Sequence, residues 1–270
     1  MTAIEQGGTG LASGTTGAQR KEQRLSAYAL RLADDALILG HRLSEWSSRG
    51  PTLEEDIALS NMGLDLIGQA RLFYSLAGAL EGRGRDEDRL AYFRDAPQFR
   101  NLLLVELPNG DFAQTMARHL LYATMAHPFL GRLAASSHPG LAEIGAKAEK
   151  EMAYHVRHAS EWVIRLGDGT DESRQRMAKG LDHVWGYRAE LFAMDELERA
   201  LAAEGAAVDR TAIEPIAAAA IDRVLSEAGL DRPADRHPQS GGREGRHTEH
   251  LGHLLAVMQS LARTYPDAQW

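Results

Sequence analysis

The chain has 270 residues, 44% of them hydrophobic, no cysteine, and a formal net charge of -8. Its size allows a large core, while the missing cysteines exclude disulfides, thiolate zinc sites, iron–sulfur clusters and a cysteine nucleophile. The acidic balance argues against nucleic acid or an anionic membrane as partner, and no apolar run approaches the roughly 18 residues of a membrane span. A cytoplasmic protein is the expectation.

Residues 1–22 are rich in Gly, Thr and Ala without periodicity and read as a disordered tail ahead of one helical domain over 23–270. Candidate helices follow at 23–47, 53–80, 111–135, 139–166, 171–204, 211–228 and 247–264. Gly50-Pro51-Thr52 separates the first two, with Thr52 placed as a cap. Asp111 and His138-Pro139 mark later starts. The stretch 82–110 reads as an irregular connection, and its Leu102–Val105 run is too isolated for a sheet. The Arg-rich segment 232–246 reads as a solvated loop. Long helices with short links predict an all-α, long-helix bundle.

Asp65 stands out, in the middle of an apolar helix with two adjacent apolar stripes, which predicts burial on most of the helix circumference. A carboxylate placed there needs a partner. The neighbouring helices repeat the anomaly. Glu151, His155 and His158 share a stripe with Ile144, Ala148 and Trp162, and His119 shares one with Phe112 and Met116. Asp195 continues the stripe Leu181, Trp185, Arg188. His41 and Glu45 lie one turn apart on the first helix.

Mid-helix carboxylates and histidines are what a carboxylate-bridged di-iron bundle uses, since iron takes oxygen ligands plus imidazole from facing helices. Such a site needs Glu-x-x-His twice. The pattern occurs once, at Glu244 and His247, in the Gly-rich loop. Asp65 has Gly68 and Gln69 where a histidine would be needed, and Glu151 has His155 four residues on. A paired polar core is the simpler reading of Asp65 with Gln69, and a helix-stabilising i,i+4 contact that of Glu151 with His155. His119 alone reads as a satisfied core histidine, and Asp195, beside Glu196 and Glu198, as an exposed acidic face. The segment His247-Thr248-Glu249-His250 reads as a helix start capped by Thr248 and used against another chain or domain, with a zinc site as the weaker alternative.

Four stretches together carry a specific resemblance. Leu39-Gly-His-Arg-Leu-Ser-Glu-Trp46, Gly63-Leu-Asp-Leu-Ile-Gly-Gln-Ala-Arg71, Asn101-Leu-Leu-Leu-Val-Glu-Leu-Pro-Asn-Gly110 and His247-Thr-Glu-His-Leu-Gly252 resemble the C subunits of bacterial 1,2-phenylacetyl-CoA epoxidases, over about residues 25–270. The resemblance implies a ferritin-like bundle with a degenerate, metal-free di-iron site, no catalytic residue of its own and no cofactor. It implies a degenerate polar core drawn from Glu45, Asp65, Gln69, His119, Glu151, His155 and Asp195. It implies as partners a catalytic A subunit that holds di-iron, a small B subunit, and a reductase with flavin and an iron–sulfur cluster fed by NADPH. The complex would epoxidise the ring of phenylacetyl-CoA with O2. Two other readings stay open: a stand-alone di-iron oxidase using unusual ligands from the same polar residues, and a helical ligand-binding module.

Overall fold

The computed structural model describes residues 17–235 and 237–268. Among these the chain is all-helical, with four long helices carrying the core. They are α1 (Gly17–Ser44), α2 (Leu53–Glu81), and, after two short helices α3 (Glu87–Tyr92) and α4 (Leu103–Glu106), α5 (Phe112–Leu133) and α6 (Pro139–Gly167). Their starts follow local chemistry. The side chains of Thr52, Asp111 and His138 accept hydrogen bonds from the N–H groups of Glu55, Gln114 and Leu141, satisfying donors that a helix start leaves open.

The chief contacts are α1 on α2 and α5 on α6, with α2 also meeting α6. Gly40 of α1 and Gly63 of α2 let the first pair approach closely: a Cβ on Gly40 would lie 3.1 Å from the Gly63 carbonyl oxygen. The core is continuous, from Tyr28 and Leu39 on α1 through Leu66 and Phe73 on α2 to Leu120 on α5 and Met152 on α6.

Several expectations need correction. Helix begins at Gly17, so residues 17–22 belong to α1 and not to a tail; the remainder of that tail lies outside the described residues. The 171–204 helix is in fact α7 (Asp171–Trp185), a 3-10 turn at Arg188–Leu191 and α8 (Glu196–Ala203). The break at Gly186 receives a hydrogen bond on its carbonyl from the N–H of Gln239, 2.9 Å away, a contact no local pattern announces. Asp195 therefore caps α8 instead of extending a stripe. Leu103–Val105 falls in a single helical turn, α4, with Leu102 at its N-cap. After α9 (Glu214–Glu227), the 247–264 helix starts later, as α10 (Glu249–Met258) and α11 (Ser260–Thr264).

Nor is α2 buried round most of its circumference. Leu59, Leu66 and Phe73 are inside, but Leu53, Ile57 and Leu64 are 73%, 52% and 65% exposed.

Candidate functional site

The α2–α6 seam brings together five of the seven core candidates. Asp65 Oδ2 lies 3.3 Å from His155 Nε2, and His155 Nδ1 lies 3.2 Å from His119 Nε2. One turn along both helices, Gln69 Nε2 donates to Glu151 Oε2 at 2.9 Å. The i,i+4 spacings Asp65/Gln69 and Glu151/His155 make these two contacts parallel rungs between α2 and α6. A third rung, Glu55 to His158 at 2.8 Å, joins the same helices nearer the start of α2. Glu55 was missed in sequence because it lies in a first turn, where an acid ordinarily needs only the helix dipole as explanation.

One proton order of the main row has a neutral His155 donate from Nε2 to Asp65 and accept at Nδ1 from the Nε2–H of His119. In that order the Nδ1 atom of His119 is a bare acceptor, buried and without a hydrogen-bond partner among the described residues. Burial, with His155, His158 and Arg118 adding to it, holds the His119 pKa well below the ordinary histidine value. His119 is thus a neutral imidazole. His155 is fully buried, while the Asp65 side chain is 37% exposed. The row runs from the surface into the core.

Glu45 and Asp195 lie elsewhere. Glu45 is exposed and pairs with Arg42 at 2.7 Å. Asp195 pairs with Arg31 at 2.6 Å. His41 has its pKa lowered by burial. The spacing logic failed for Glu45 because α1 ends at Ser44 and leaves it in the following turn, and for Asp195 because the chain turns at Gly186.

This donor set does not fit a di-iron centre. Both ring nitrogens of His155 are already engaged, one by a carboxylate and one by another imidazole. Among the described residues no three His, Asp or Glu side chains are grouped to hold a metal ion.

A second polar region, buried against α1, was largely invisible in sequence. Asp34 and Asp35 lie side by side, 0% and 3% exposed, within the apolar run of α1. Asp34 accepts from the Tyr74 hydroxyl at 2.6 Å, the Arg100 N–H at 2.8 Å and the guanidinium of Arg94. Asp35 accepts from the Leu102 N–H and from Arg243 Nη2, each at 2.7 Å. Burial pushes the Asp35 carboxyl up, and Arg243 opposes it. Glu190 accepts from the N–H groups of Leu103, Gly241 and Gly242. Gly241 has φ +137°, and a Cβ on Gly242 would sit 2.0 Å from the Asn101 carbonyl oxygen, so that approach demands glycine.

Two assignments change here. Segment 232–246 is not wholly a solvated loop, since Arg243 is an internal clamp; Arg236 lies outside the described residues. His247 turns inward, its Nδ1 2.8 Å from Glu106 Oε2 and its Nε2 donating to the Phe99 carbonyl. Burial alone would lower the His247 pKa, but the hydrogen bond and charge of Glu106 raise it overall. Thr248 takes the N-cap position without a side-chain cap bond, and its N–H donates to Glu106. Glu249 is exposed, and the His250 carbonyl accepts from Arg42. The one sequence signal for this region was the Asp34-Asp35 pair inside Leu32–Leu39.

Comparison with known proteins agrees with this architecture. Residues 10–270 match the family described as phenylacetic acid catabolic protein. The chain is 48% identical over 247 residues to the C subunit of the 1,2-phenylacetyl-CoA epoxidase of Escherichia coli strain K12, covering 92% of this chain and 99% of that one. The family match over nearly the whole chain and the 48% identity to a C subunit show that the chain belongs to the phenylacetic acid catabolic protein family, whose fold class is ferritin-like.

Proposed function

We propose that this chain is the non-catalytic bundle subunit of a multicomponent 1,2-phenylacetyl-CoA epoxidase acting in aerobic phenylacetate breakdown. Near full-length similarity to the C subunit of such an enzyme supports the complex to which it belongs. The observation that carries the non-catalytic role is the Asp65–His155–His119 row, in which both ring nitrogens of the buried His155 are engaged by its neighbours. Side chains that satisfy each other keep a bundle packed without a metal, and such a bundle serves as a rigid wall for a sister bundle. The partners in this reading are a catalytic A subunit holding di-iron, a small B subunit, and a flavin and iron–sulfur reductase fed by NADPH. No residue of this chain contacts the reacting atoms. The working compartment is the cytoplasm, in keeping with the absence, among the described residues, of any helix long and apolar enough to cross a membrane.

The test is Asp65→Ala in the co-expressed complex. Assembly with the catalytic partner and turnover of phenylacetyl-CoA per assembled complex are measured side by side. Loss of assembly with normal turnover in what assembles supports the reading. Full assembly with no turnover overturns it.

A further inference from the structure

A cavity of about 20 Å³ lies inside the bundle between α1, α2 and α5. Phe73 and Phe129 stand on its apolar walls, and its polar lining is Asp35, Gln69, Tyr122 and Arg210. That lining draws on both polar regions. Gln69 belongs to the seam through Glu151, and Asp35 to the clamp through Arg243.

Each of these four side chains has bonding capacity that the chain leaves unused. Gln69 Nε2 donates to Glu151 Oε2 at 2.9 Å, and an ionised carboxylate only accepts. The amide is therefore oriented, and Gln69 Oε1 is left as an acceptor. The Tyr122 hydroxyl is buried and has no hydrogen-bond partner among the described residues. Burial, with the Asp35 charge adding to it, keeps the Tyr122 pKa above the ordinary tyrosine value, so the hydroxyl donates as well as accepts. Arg210, between α8 and α9, uses Nη1 on the Leu191 carbonyl at 3.2 Å, and its Nη2 carries no hydrogen bond among the described residues. Asp35 accepts three bonds, from the Leu102 N–H and from Nη1 and Nη2 of Arg243, where a carboxylate has about four acceptor positions. Two donors and two acceptors are thus left over around one small space.

Size and charge decide what fits there. A cavity of about 10–15 Å³ or more holds one water when two to four polar groups meet it. A cation is opposed by the Arg210 guanidinium, and an anion by the Asp35 carboxylate. Leaving a buried hydroxyl and an amide oxygen without partners costs more than immobilising one water, which decides against a dry pocket.

We infer that one water molecule is bound inside the bundle, accepting from Tyr122 and Arg210 and donating to Gln69 Oε1 and Asp35. It joins the Gln69–Glu151 rung to the Asp35–Arg243 clamp, so the two polar regions meet in one network through the core. The site is made by this chain alone and does not depend on the partners proposed above.

The test is a crystal structure of the purified full chain together with a double-mutant cycle. An ordered water within hydrogen-bond distance of Tyr122 Oη and Gln69 Oε1 is expected, and xenon pressure leaves it in place. Ala126 also lines the cavity, and Ala126→Val fills it. In the otherwise native chain, Tyr122→Phe lowers the melting temperature by about 2–4 °C, because the water loses a partner. In the Ala126→Val background the water is already displaced, and Tyr122→Phe leaves the melting temperature unchanged or raises it. The crowding and helix propensity of valine are common to both chains of that background and cancel. Xenon in the cavity, or no ordered water there, overturns the inference in favour of a dry pocket. An anomalous-scattering peak from a metal ion overturns it in favour of a cation. Equal losses from Tyr122→Phe in both backgrounds overturn it as well, since the hydroxyl then bonds to nothing that Ala126→Val removes.

Discussion

The charge lattice on α1 and the polar seam between α2 and α6 are both buried rows of ionisable groups, but they are built differently. In the lattice against α1 each of three buried carboxylates meets a cation or several N–H donors: Asp34 meets Arg94, Asp35 meets Arg243, and Glu190, from the turn after α7, holds three backbone amides. These bonds tie the irregular 93–110 and 239–248 segments onto the helix. In the seam, two imidazoles continue the row inward from one carboxylate, and it ends on a His119 nitrogen without a hydrogen-bond partner among the described residues. The lattice is a clamp that completes the fold. The seam is a row of packed polar side chains that begins at the half-exposed Asp65 and ends in the core. A row of polar groups is structural when its charges are cancelled within the chain. It points outward when its terminal charge is left partly in water.

The comparison breaks most visibly at Asp34. Asp34→Ala strands the buried Arg94 guanidinium and should cost about 3–5 kcal/mol, the usual penalty for removing one partner of a buried ion pair. Denaturant unfolding of the purified chain reads it directly; a loss under about 1 kcal/mol would place the lattice with surface ion pairs. Next comes Glu190→Ala, which leaves the buried amides of Leu103, Gly241 and Gly242 without their acceptor. An unsatisfied buried donor costs about 1–3 kcal/mol. Protection of these amides in hydrogen exchange should fall before that of α5.

The pH dependence separates the two regions by sign. His119 has a folded pKa below its unfolded value of 6.5, so its contribution is present above that pH and is lost as pH falls. His247 has a folded pKa above 6.5, so its contribution with Glu106 is complete below that pH and is lost as pH rises through the folded value. His119→Leu should therefore gain most in relative melting temperature near about pH 5, and His247→Gln should lose most there and least near about pH 8. Parallel shifts at both pH values would show that neither ring titrates as described. The smallest expected effect is Asp65→Ala in the free chain. Its half-open pair with His155 is screened, and stability should change by about 1 kcal/mol or less. A loss comparable to that of Asp34→Ala would erase the distinction between the regions.

How much of this was legible in the sequence tracks how local the deciding contacts are. The α2 and α6 boundaries were readable because Thr52 and His138-Pro139 act within one turn. The rungs Asp65–His155 and Gln69–Glu151 were foreshadowed as polar residues on facing apolar stripes, but the i,i+4 contact expected between Glu151 and His155 gives way to bonds across the seam. The break of the 171–204 helix was not readable, because Gly186 is held by Gln239 from a distant segment. Arg243 looked like a loop residue for the same reason: its partner Asp35 is 208 residues away. His247 looked like a partner contact because a histidine-rich helix start resembles a surface motif. Only the fold reveals Glu106 behind it.

The measurement that tests the central claim most directly is the iron content of the purified chain alone after anaerobic loading with Fe(II) and desalting, beside the co-expressed pair treated identically. Iron is expected with the pair and none retained by the free chain, since both ring nitrogens of His155 are engaged by Asp65 and His119. Stoichiometric iron held tightly by the free chain, lost on His119→Ala or His155→Ala, would contradict that claim and make this bundle an oxygen-activating centre in its own right.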